Sequence, residues 1–239
     1  MTHDRDFWAE LHSRIQPFDL LCHPFYQAWT AGQLSRDDLR EYAAEYYHHV
    51  QGFPQHLLTL AARLPESDLR RAVLENFTDE MALDGSGVRP HHALWLQFAE
   101  GMGASVPEVR TREPIAEIRE LTATFDKIAS SGSPAEALAA FYAYESQVPR
   151  VAEAKEAGLR DLYGADADTC AYFHLHKTAD VQHSQVWRKQ LDTILAERPE
   201  SADAALNAAE TAARSLWRAL DGIERARNNR AQSAGASQS

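Results

Sequence analysis

The sequence predicts an all-α protein that folds as a single-domain helical bundle. Apolar residues recur at the three- and four-residue intervals of a helix, as Phe7, Leu11 and Ile15 do in the first segment. Helix start and stop signals follow one another at short intervals along the chain. No segment alternates apolar and polar residues between turn signals, so strands are not expected. These observations favour a bundle over any fold that contains a sheet.

Capping and breaking residues delimit the individual helices. Pro17, Gly32 and the segment 131–134 are strong breaks, and Ser35 begins a helix whose first turn is acidic. The predicted helices cover residues 4–16, 24–31, 35 to at least 56, 67–83, 90–99, 115–130, 135–163, 166–198 and 201–227. Residues 228–239 are small and polar, so a disordered tail is predicted to follow a bundle domain of residues 1–227.

Composition and charge limit the classes of function. The 239 residues carry a net charge of -11, which argues against binding to nucleic acid or to an anionic membrane. The chain has no apolar run of membrane-spanning length, and its N-terminus is charged from Asp4 onwards, so no signal peptide is expected. Cys22 and Cys170 are the only cysteines, which excludes a disulfide framework and favours a reducing cytoplasm. Both cysteines are expected to be buried as small apolar residues.

The segment Tyr172–Ser184 carries the clearest chemical signal. On a helix, His176, Asp180 and His183 lie on one face, because successive residues turn by about 100°. Two imidazoles and a carboxylate form a mixed ligand set that suits non-haem iron or manganese. The two histidines are about 10.5 Å apart along a straight helix, which fits two adjacent ions slightly better than one.

A two-metal site needs further ligands from other helices of a bundle. Glu145 lies in an aromatic run, and Glu80 precedes a break that contains glycine and proline, after which come His91 and His92. Glu80 can share a site with one of these histidines only if the chain doubles back, which the break allows. Each residue also has an ordinary interpretation, since a buried acid can pair with arginine or tyrosine and a lone histidine can be a hydrogen-bonded core residue.

Several motifs spread over roughly Trp8 to Leu220 point to one family. They are His23-Pro24-Phe25-Tyr26 with Trp29 and Gly32, Tyr42-Ala43 with Tyr46-Tyr47-His48-His49, Asp79-Glu80, His91 with Leu94-Trp95, Tyr142 through Arg150 with Lys155, and Tyr172 through His183. Together they resemble the CADD-like proteins. These are relatives of the Chlamydia protein associating with death domains, within the haem-oxygenase-like metal-oxidase superfamily.

The resemblance implies a seven-helix bundle like that of haem oxygenase and the thiaminase-type proteins. It implies an O2-dependent oxidoreductase that uses two divalent metal ions, Fe/Fe or Mn/Fe, and an external reductant. The implied metal ligands are Glu80, His91, Glu145, His176, Asp180 and His183. The segment after Glu80 is longer here than in the chlamydial pattern, which leaves His92 as an alternative to His91. The offset from Leu94-Trp95 favours His91.

Members of the family are implicated in making p-aminobenzoate for folate synthesis. The resemblance implies a single-turnover reaction in which the protein consumes its own tyrosine as the source of the ring. Tyr26 matches that tyrosine, Lys155 matches the proposed donor of the amino group, and Tyr42 matches a further tyrosine near the centre. A phenol is readily oxidised by such a centre if its ring lies within a few ångströms. Without the resemblance, ordinary helix packing of Tyr26 beside Trp29 would be the favoured interpretation.

Other functions remain compatible with the sequence. The same centre could act on a free small molecule, by oxidative decarboxylation or N-oxygenation, or the chain could be a binding module with a structural metal site. A metal-free oxidase of the pyrroloquinoline-quinone type also fits the fold. The expected partners are O2 and small molecules, with no nucleic acid and no membrane, and a homodimer is allowed.

Overall fold

The computed structural model describes residues 2–83, 85 and 87–236, and these residues form helices and no strands. The α-helices are α1 (Thr2–Ile15), α2 (Pro24–Thr30), α3 (Arg36–Arg63), α4 (Asp68–Glu80), α5 (His91–Gly101), α6 (Val106–Thr111), α7 (Ala116–Ser131), α8 (Pro134–Glu145), α9 (Val148–Tyr163), α10 (Ala167–Glu197) and α11 (Ala202–Ala236). Short 3-10 turns cover Gln16–Phe18, Leu20–Cys22 and Pro199–Ser201. The all-α bundle expected from the sequence is therefore confirmed. The described helical segments outnumber the seven that the resemblance implied, because short helices such as α2 and α6 are separate.

The helix α8 lies at the centre of the bundle. Every residue from Ala137 to Glu145 is buried. It packs against α10, α11 and α7. Both α8 and α11 are rich in alanine, and small side chains let neighbouring helix axes approach closely. The core therefore forms around one helix that has no solvent-facing side over most of its length.

The other helix contacts enclose a region between α4, α5, α8 and α10. The helix α10 packs against α9, α8 and α5, and α3 packs against α7, α5 and α4. The end of α4 and the start of α5 consequently face the middle of α10 and the end of α8. Within the described residues, no helix combines the length and the apolarity needed to cross a membrane.

Local sequence signals explain most of the helix ends. Ser35 caps α3 and forms a reciprocal capping box with Asp38, and Ser133 does the same with Glu136 at the start of α8. Gly164 ends α9 with a φ of 64°, in the left-handed region that glycine adopts most readily. The predicted starts of α3 and α8 are thus confirmed to within one residue.

The predicted continuous helix over residues 135–163 is wrong in one respect. The structure divides it into α8 and α9 at Ser146 and Gln147. Pro149 has no backbone N–H to donate to the carbonyl of Glu145, so the hydrogen-bond ladder cannot continue through this point. The interruption leaves Glu145 as the last residue of α8.

Two further expectations need correction. The helix α11 continues through Asn228 to Ala236, so the predicted disordered tail is wrong for these residues, and residues 237–239 lie outside the described range. Arginine, alanine and glutamine are good helix formers, and Arg230 pairs with Asp38 at 3.2 Å, which extends the helix beyond its packed part. Cys22 is exposed, whereas Cys170 is buried as expected. Cys22 ends a surface turn, where its neighbours do not cover it.

We expect the substitution Gly158→Ala to destabilise the fold. An added Cβ at Gly158 would lie 2.8 Å from Cδ1 of Trp29, which is fully buried. Alanine is the better helix former by roughly 1 kcal/mol, but overpacking against a buried indole costs about 1–3 kcal/mol. Urea unfolding should therefore show a net loss. Glu153→Ala, at an exposed position on the same helix, is the control, and an unchanged free energy of unfolding for Gly158→Ala would contradict the described packing.

Candidate metal centre

The structure brings all six sequence-predicted ligand residues into one buried region. The six side chains come from four helices: α4, α5, α8 and α10. Glu80 is the last residue of α4, His91 is the first of α5, and Glu145 is the last of α8. The other three lie on one face of α10. None of the six is more than 6% exposed: Glu80, His91, Glu145, His176, Asp180 and His183.

The six residues form two groups that share one carboxylate. Ligand atoms of Glu80, His91 and His176 lie within 4.8 Å of one another, and so do those of Glu80, Glu145, Asp180 and His183. Because Glu80 belongs to both groups, the two groups are adjacent. The two-turn spacing on α10 accordingly places His176 in one group and His183 in the other.

Hydrogen bonds orient the two histidines of α10. Nδ1 of His176 donates to the carbonyl oxygen of Tyr172 at 2.7 Å, which leaves Nε2 as the nitrogen with a free lone pair. Nε2 of His183 lies 3.2 Å from Oδ2 of Asp79, so its Nδ1 faces the group. Carboxylate and carbonyl partners of this kind commonly hold metal-binding imidazoles in place.

Glu145 is oriented in a similar way. Its Oε2 accepts a hydrogen bond from Nε1 of Trp187, which is fully buried. Its Oε1 lies 3.7 Å from Nδ1 of His183, and Oδ1 of Asp180 lies 3.4 Å from the same nitrogen. One oxygen of Glu145 is thus held by the protein, and the other is directed at the group.

Several of the inward-facing atoms have no hydrogen-bond partner among the described residues. They are Nδ1 of His91, Oε1 of Glu145 and Nδ1 of His183. Nδ1 of His91 lies 2.9 Å from Oε2 of Glu80, but the contact lacks hydrogen-bond geometry. Buried polar atoms are rarely left without partners in proteins, and three that converge on one region fit bound cations. Imidazole and carboxylate donors together fit iron or manganese.

Charges within the region favour cations as well. Burial raises the pKa of Glu145 well above its ordinary value. Burial would also raise the pKa of Glu80, but the adjacent His91 outweighs it and lowers that pKa to about 2. Burial opposes a charge on His183, yet Asp180 and Glu145 raise its pKa to about 10. The carboxylates therefore stabilise protonated groups beside them, and bound metal ions can take the place of those protons.

The structure distinguishes between the two adjacent histidines at the start of α5. His91 is buried against Glu80, whereas His92 is only half-buried and belongs to neither group. His91 is thus the residue that the fold brings to the region, in agreement with the offset from Leu94-Trp95.

The three residues matched to the tyrosine chemistry form a second buried cluster. Nζ of Lys155 lies 2.7 Å from the hydroxyl of Tyr26 and 2.5 Å from that of Tyr42, and the two hydroxyls are 2.9 Å apart. Nζ also lies 4.1 Å from the centre of the Tyr26 ring. Burial lowers the pKa of Lys155 well below its ordinary value and raises the pKa values of Tyr26 and Tyr42. Burial therefore favours the neutral amine form of Lys155 and the neutral phenol forms of the two tyrosines.

An aromatic layer separates the two clusters. Tyr26 and Lys155 line a cavity of about 20 Å³ together with Tyr144 and Tyr172. The same two tyrosines line a second cavity of about 10 Å³, whose other walls include Glu80. Tyr26 thus lies one aromatic layer away from the carboxylates, and not directly against them. Each cavity has room for about one water-sized molecule.

Sequence reasoning missed several residues that the structure places at the site. Trp187 is one turn beyond His183 on the same face of α10, so the helical spacing that identified the histidines could have identified it as well. Tyr172 stacks on His176 with 3.9 Å between ring centres, at the i, i+4 spacing. Tyr144 precedes Glu145 directly, and only the packing of α8 reveals that it faces both cavities.

Comparisons with known proteins identify relatives of similar sequence and similar fold. A 4-aminobenzoate synthase of Chlamydia pneumoniae is 36% identical over 214 residues, which cover 89% of this chain and 93% of that protein. A domain of unknown function with a haem-oxygenase-like fold from Shewanella denitrificans superposes with a TM-score of 0.75 at 16% identity, over 94% of this chain and 93% of that one. A CADD-like protein of unknown function from Nostoc punctiforme gives a TM-score of 0.69 at 17% identity, over 93% of this chain and 100% of that one.

The family comparison covers most of the bundle. Residues 40–217, which include all six of the buried carboxylates and imidazoles described above, match the family described as iron-containing redox enzymes. With this match and its 36% identity to the chlamydial relative, the chain belongs to the haem-oxygenase-like family of iron-containing redox enzymes.

Proposed function

We propose that this protein is an O2-dependent oxidoreductase that makes p-aminobenzoate from its own Tyr26. The observation that carries the proposal is the buried contact of Lys155 with Tyr26 and Tyr42, one aromatic layer from a cluster of carboxylates and imidazoles. The similarity to a relative named 4-aminobenzoate synthase supports it. The net charge of -11 supports O2 and small molecules, and not nucleic acid, as partners.

The six buried ligand residues would hold two metal ions. Glu80, His91 and His176 would bind one ion, and Glu145, Asp180 and His183 would bind the other, with Glu80 beside both. Two iron ions, or one manganese and one iron, would supply the electrons that reduce dioxygen, with an external reductant restoring them. Asp79 and Trp187 would keep His183 and Glu145 oriented for binding.

The second cluster contains the groups from which the product would be made. In p-aminobenzoate the amino group lies para to the carboxyl carbon, just as the phenol oxygen of Tyr26 lies para to its Cβ. Tyr26 would supply the ring and the carboxyl carbon, dioxygen would oxidise Cβ, and the Cα–Cβ bond would break. Dioxygen would also oxidise the ring by two electrons, and Nζ of Lys155 would condense with the ring carbonyl so formed, releasing the phenol oxygen as water. After a proton moves from Cε to the ring, water would hydrolyse the Cε=N bond, which leaves the nitrogen on the product and an aldehyde at Cε of Lys155.

The environment of Lys155 suits this role. An ammonium group has no lone pair, whereas the buried amine, whose pKa is lowered by desolvation, can bond to an oxidised ring. Nζ lies close to the hydroxyl-bearing edge of Tyr26. The Tyr42 hydroxyl contacts both groups, so it can orient the amine and accept or return the phenol proton.

Aromatic contacts connect the two clusters. Tyr172 stacks on His176, and Trp95 lies edge-on to Tyr172 with 4.8 Å between ring centres. Trp95 in turn lies 5.7 Å from the ring of Tyr42, which is hydrogen-bonded to Tyr26. An electron can leave Tyr26 through these rings without direct contact between the phenol and the ligand residues.

Cavity size favours the chain's own tyrosine over a free aromatic substrate. The cavities beside Tyr26 and beside Glu80 measure about 20 and 10 Å³. Ligand pockets for drug-sized molecules measure roughly 300–1,000 Å³. A diatomic or water-sized reactant fits, and the ring to be oxidised is already in place. Each chain would therefore form one molecule of product.

We expect His91→Ala to weaken metal binding, because it removes one imidazole from the group around Glu80. Anaerobic titration with Fe(II) and elemental analysis should show about one ion fewer per chain, or an affinity lowered roughly 10–100-fold. His92→Ala is the matched control and should bind as wild type does. Equal losses in the two variants would contradict the assignment of His91.

We expect Tyr26→Phe to abolish product formation. After reconstitution with iron and manganese under O2, wild type should yield at most one p-aminobenzoate per chain, and peptide mapping should show mass lost at Tyr26. Tyr47→Phe, a buried tyrosine outside the cluster, is the control and should react normally. Several products per chain would instead indicate a free substrate, and absence of O2 uptake by fully loaded protein would indicate a binding module.

We expect Lys155→Met to stabilise the protein more at neutral pH than at high pH. The folded pKa of Lys155 lies well below its unfolded value of about 10.4, so between the two the unfolded chain binds one proton more and wild-type stability rises with pH. The rise amounts to about 1.4 kcal/mol per pH unit over this window. Melting temperatures of the two proteins should converge between pH 7 and 10, and a pH-independent difference would show that Lys155 is charged when folded.

A further inference from the structure

The connection between α1 and α2 forms one wall of the cavity beside Tyr26. It consists of two 3-10 turns, Gln16–Phe18 and Leu20–Cys22. Leu20 is the single buried residue of these turns, and its side chain lines the cavity together with Tyr26 and Lys155. Two further apolar side chains of the segment are partly buried against the core: Phe18 and Leu21. Leu20 therefore closes the cavity from the solvent side.

Two polar contacts hold this segment against α9 and the turn before it. The backbone N–H of Leu20 donates to Oε1 of Gln147 at 3.0 Å, and Nε2 of Gln147 donates to the carbonyl of Ala143 at 3.0 Å. Outside, Arg150 pairs with Asp19 at 3.0 Å, with the Arg150 side chain 57% exposed. Exposed ion pairs of this kind contribute little to stability, so the inner contact and the apolar side chains of the segment hold it closed.

The closed cavity beside Tyr26 is too small to let the product pass. Tyr26 is 2% exposed, and the cavity beside it, about 20 Å³, holds about one water molecule. An aromatic acid formed there cannot leave through this space, so one wall has to open. The other outer walls are Val148, Val151 and Ala152, which belong to the 16-residue helix α9 packed along α10. Short 3-10 turns with few buried side chains open at much lower cost than a packed helix.

We propose that residues Gln16–Cys22 are a gate that swings away from α9, withdraws Leu20 and lets the aromatic acid leave past Arg150. When Asp19 moves off with the segment, the freed guanidinium of Arg150 can pair with the carboxylate of the departing product. The proposal rests on the proposed function for the identity of what leaves. The gate itself is inferred from the residues that line the cavity, so it can be tested without turnover.

The test uses a variant in which the Tyr26 side chain is already absent. Tyr26→Gly leaves a buried cavity of tyrosine shape, and p-cresol, which is that side chain, is the probe. Its association rate can be followed by the fluorescence of Trp29, whose ring centre lies 6.4 Å from that of Tyr26. Adding Leu20→Ala should speed association about tenfold or more, because truncating a buried leucine weakens the closed state selectively.

The matched control is Val151→Ala in the same Tyr26→Gly background, because Val151 lines the same cavity from α9. This change should leave the association rate near that of Tyr26→Gly alone. Faster association with Val151→Ala but not with Leu20→Ala would overturn the gate and assign the opening to α9.

Amide hydrogen exchange of the wild-type protein provides a test that survives if Tyr26→Gly fails to fold. The amide of Leu20 should exchange at least about tenfold faster than that of Ala152, and Gln147→Leu should accelerate Leu20 alone. Equal protection of both amides would overturn the gate. Absence of p-aminobenzoate from reconstituted protein, together with fast exchange at Leu20, would reject the proposed function and retain the gate.

Discussion

Burial of three carboxylates inside a helical core is the constraint on which the rest of the structure depends. Glu80, Glu145 and Asp180 are each at most 5% exposed. An isolated charge in such a place would cost on the order of tens of kcal/mol, so positive partners have to surround it. The imidazoles of His91 and His183, whose pKa values the carboxylates raise against the effect of burial, provide part of that charge, and metal ions of an iron-containing family fit the remainder. The ends of α4 and α8 and the start of α5 meet at this face of α10 and bring the carboxylates and imidazoles together.

Distance from these carboxylates leaves burial as the factor that lowers the pKa of Lys155. The depression of its pKa is due to burial alone, without an opposing carboxylate. If Glu80 or Asp180 lay beside Nζ, their charge would favour the ammonium form, which cannot act as a nucleophile. The layer formed by Tyr144 and Tyr172 separates the acidic cluster from the amine, and its aromatic rings also border the cavities on both sides. The proposed reaction depends on both properties of that layer.

The helices themselves were largely predictable from local sequence. Serine caps, proline and glycine act within a few residues, so the starts of α3 and α8 follow from Ser35 and Ser133. The interruption before Pro149 was missed because the surrounding alanine-rich sequence favours helix on both sides. The helical continuation of α11 was missed because a polar composition predicts disorder, whereas the packed helix before it had already met the cost of nucleation.

The sequence by itself determined the all-α fold and the shared face of His176, Asp180 and His183 on α10, and its motifs predicted the other candidate ligands. Only the tertiary structure decided that His91, and not His92, meets Glu80, and that Glu80 belongs to both groups of candidate ligands. It also decided that Tyr26 lies one aromatic layer away from these groups. Helical periodicity specifies which residues share a face of one helix. Contacts such as that between Lys155 and Tyr26, 129 residues apart, depend on how several helices pack together, and no local pattern contains that information.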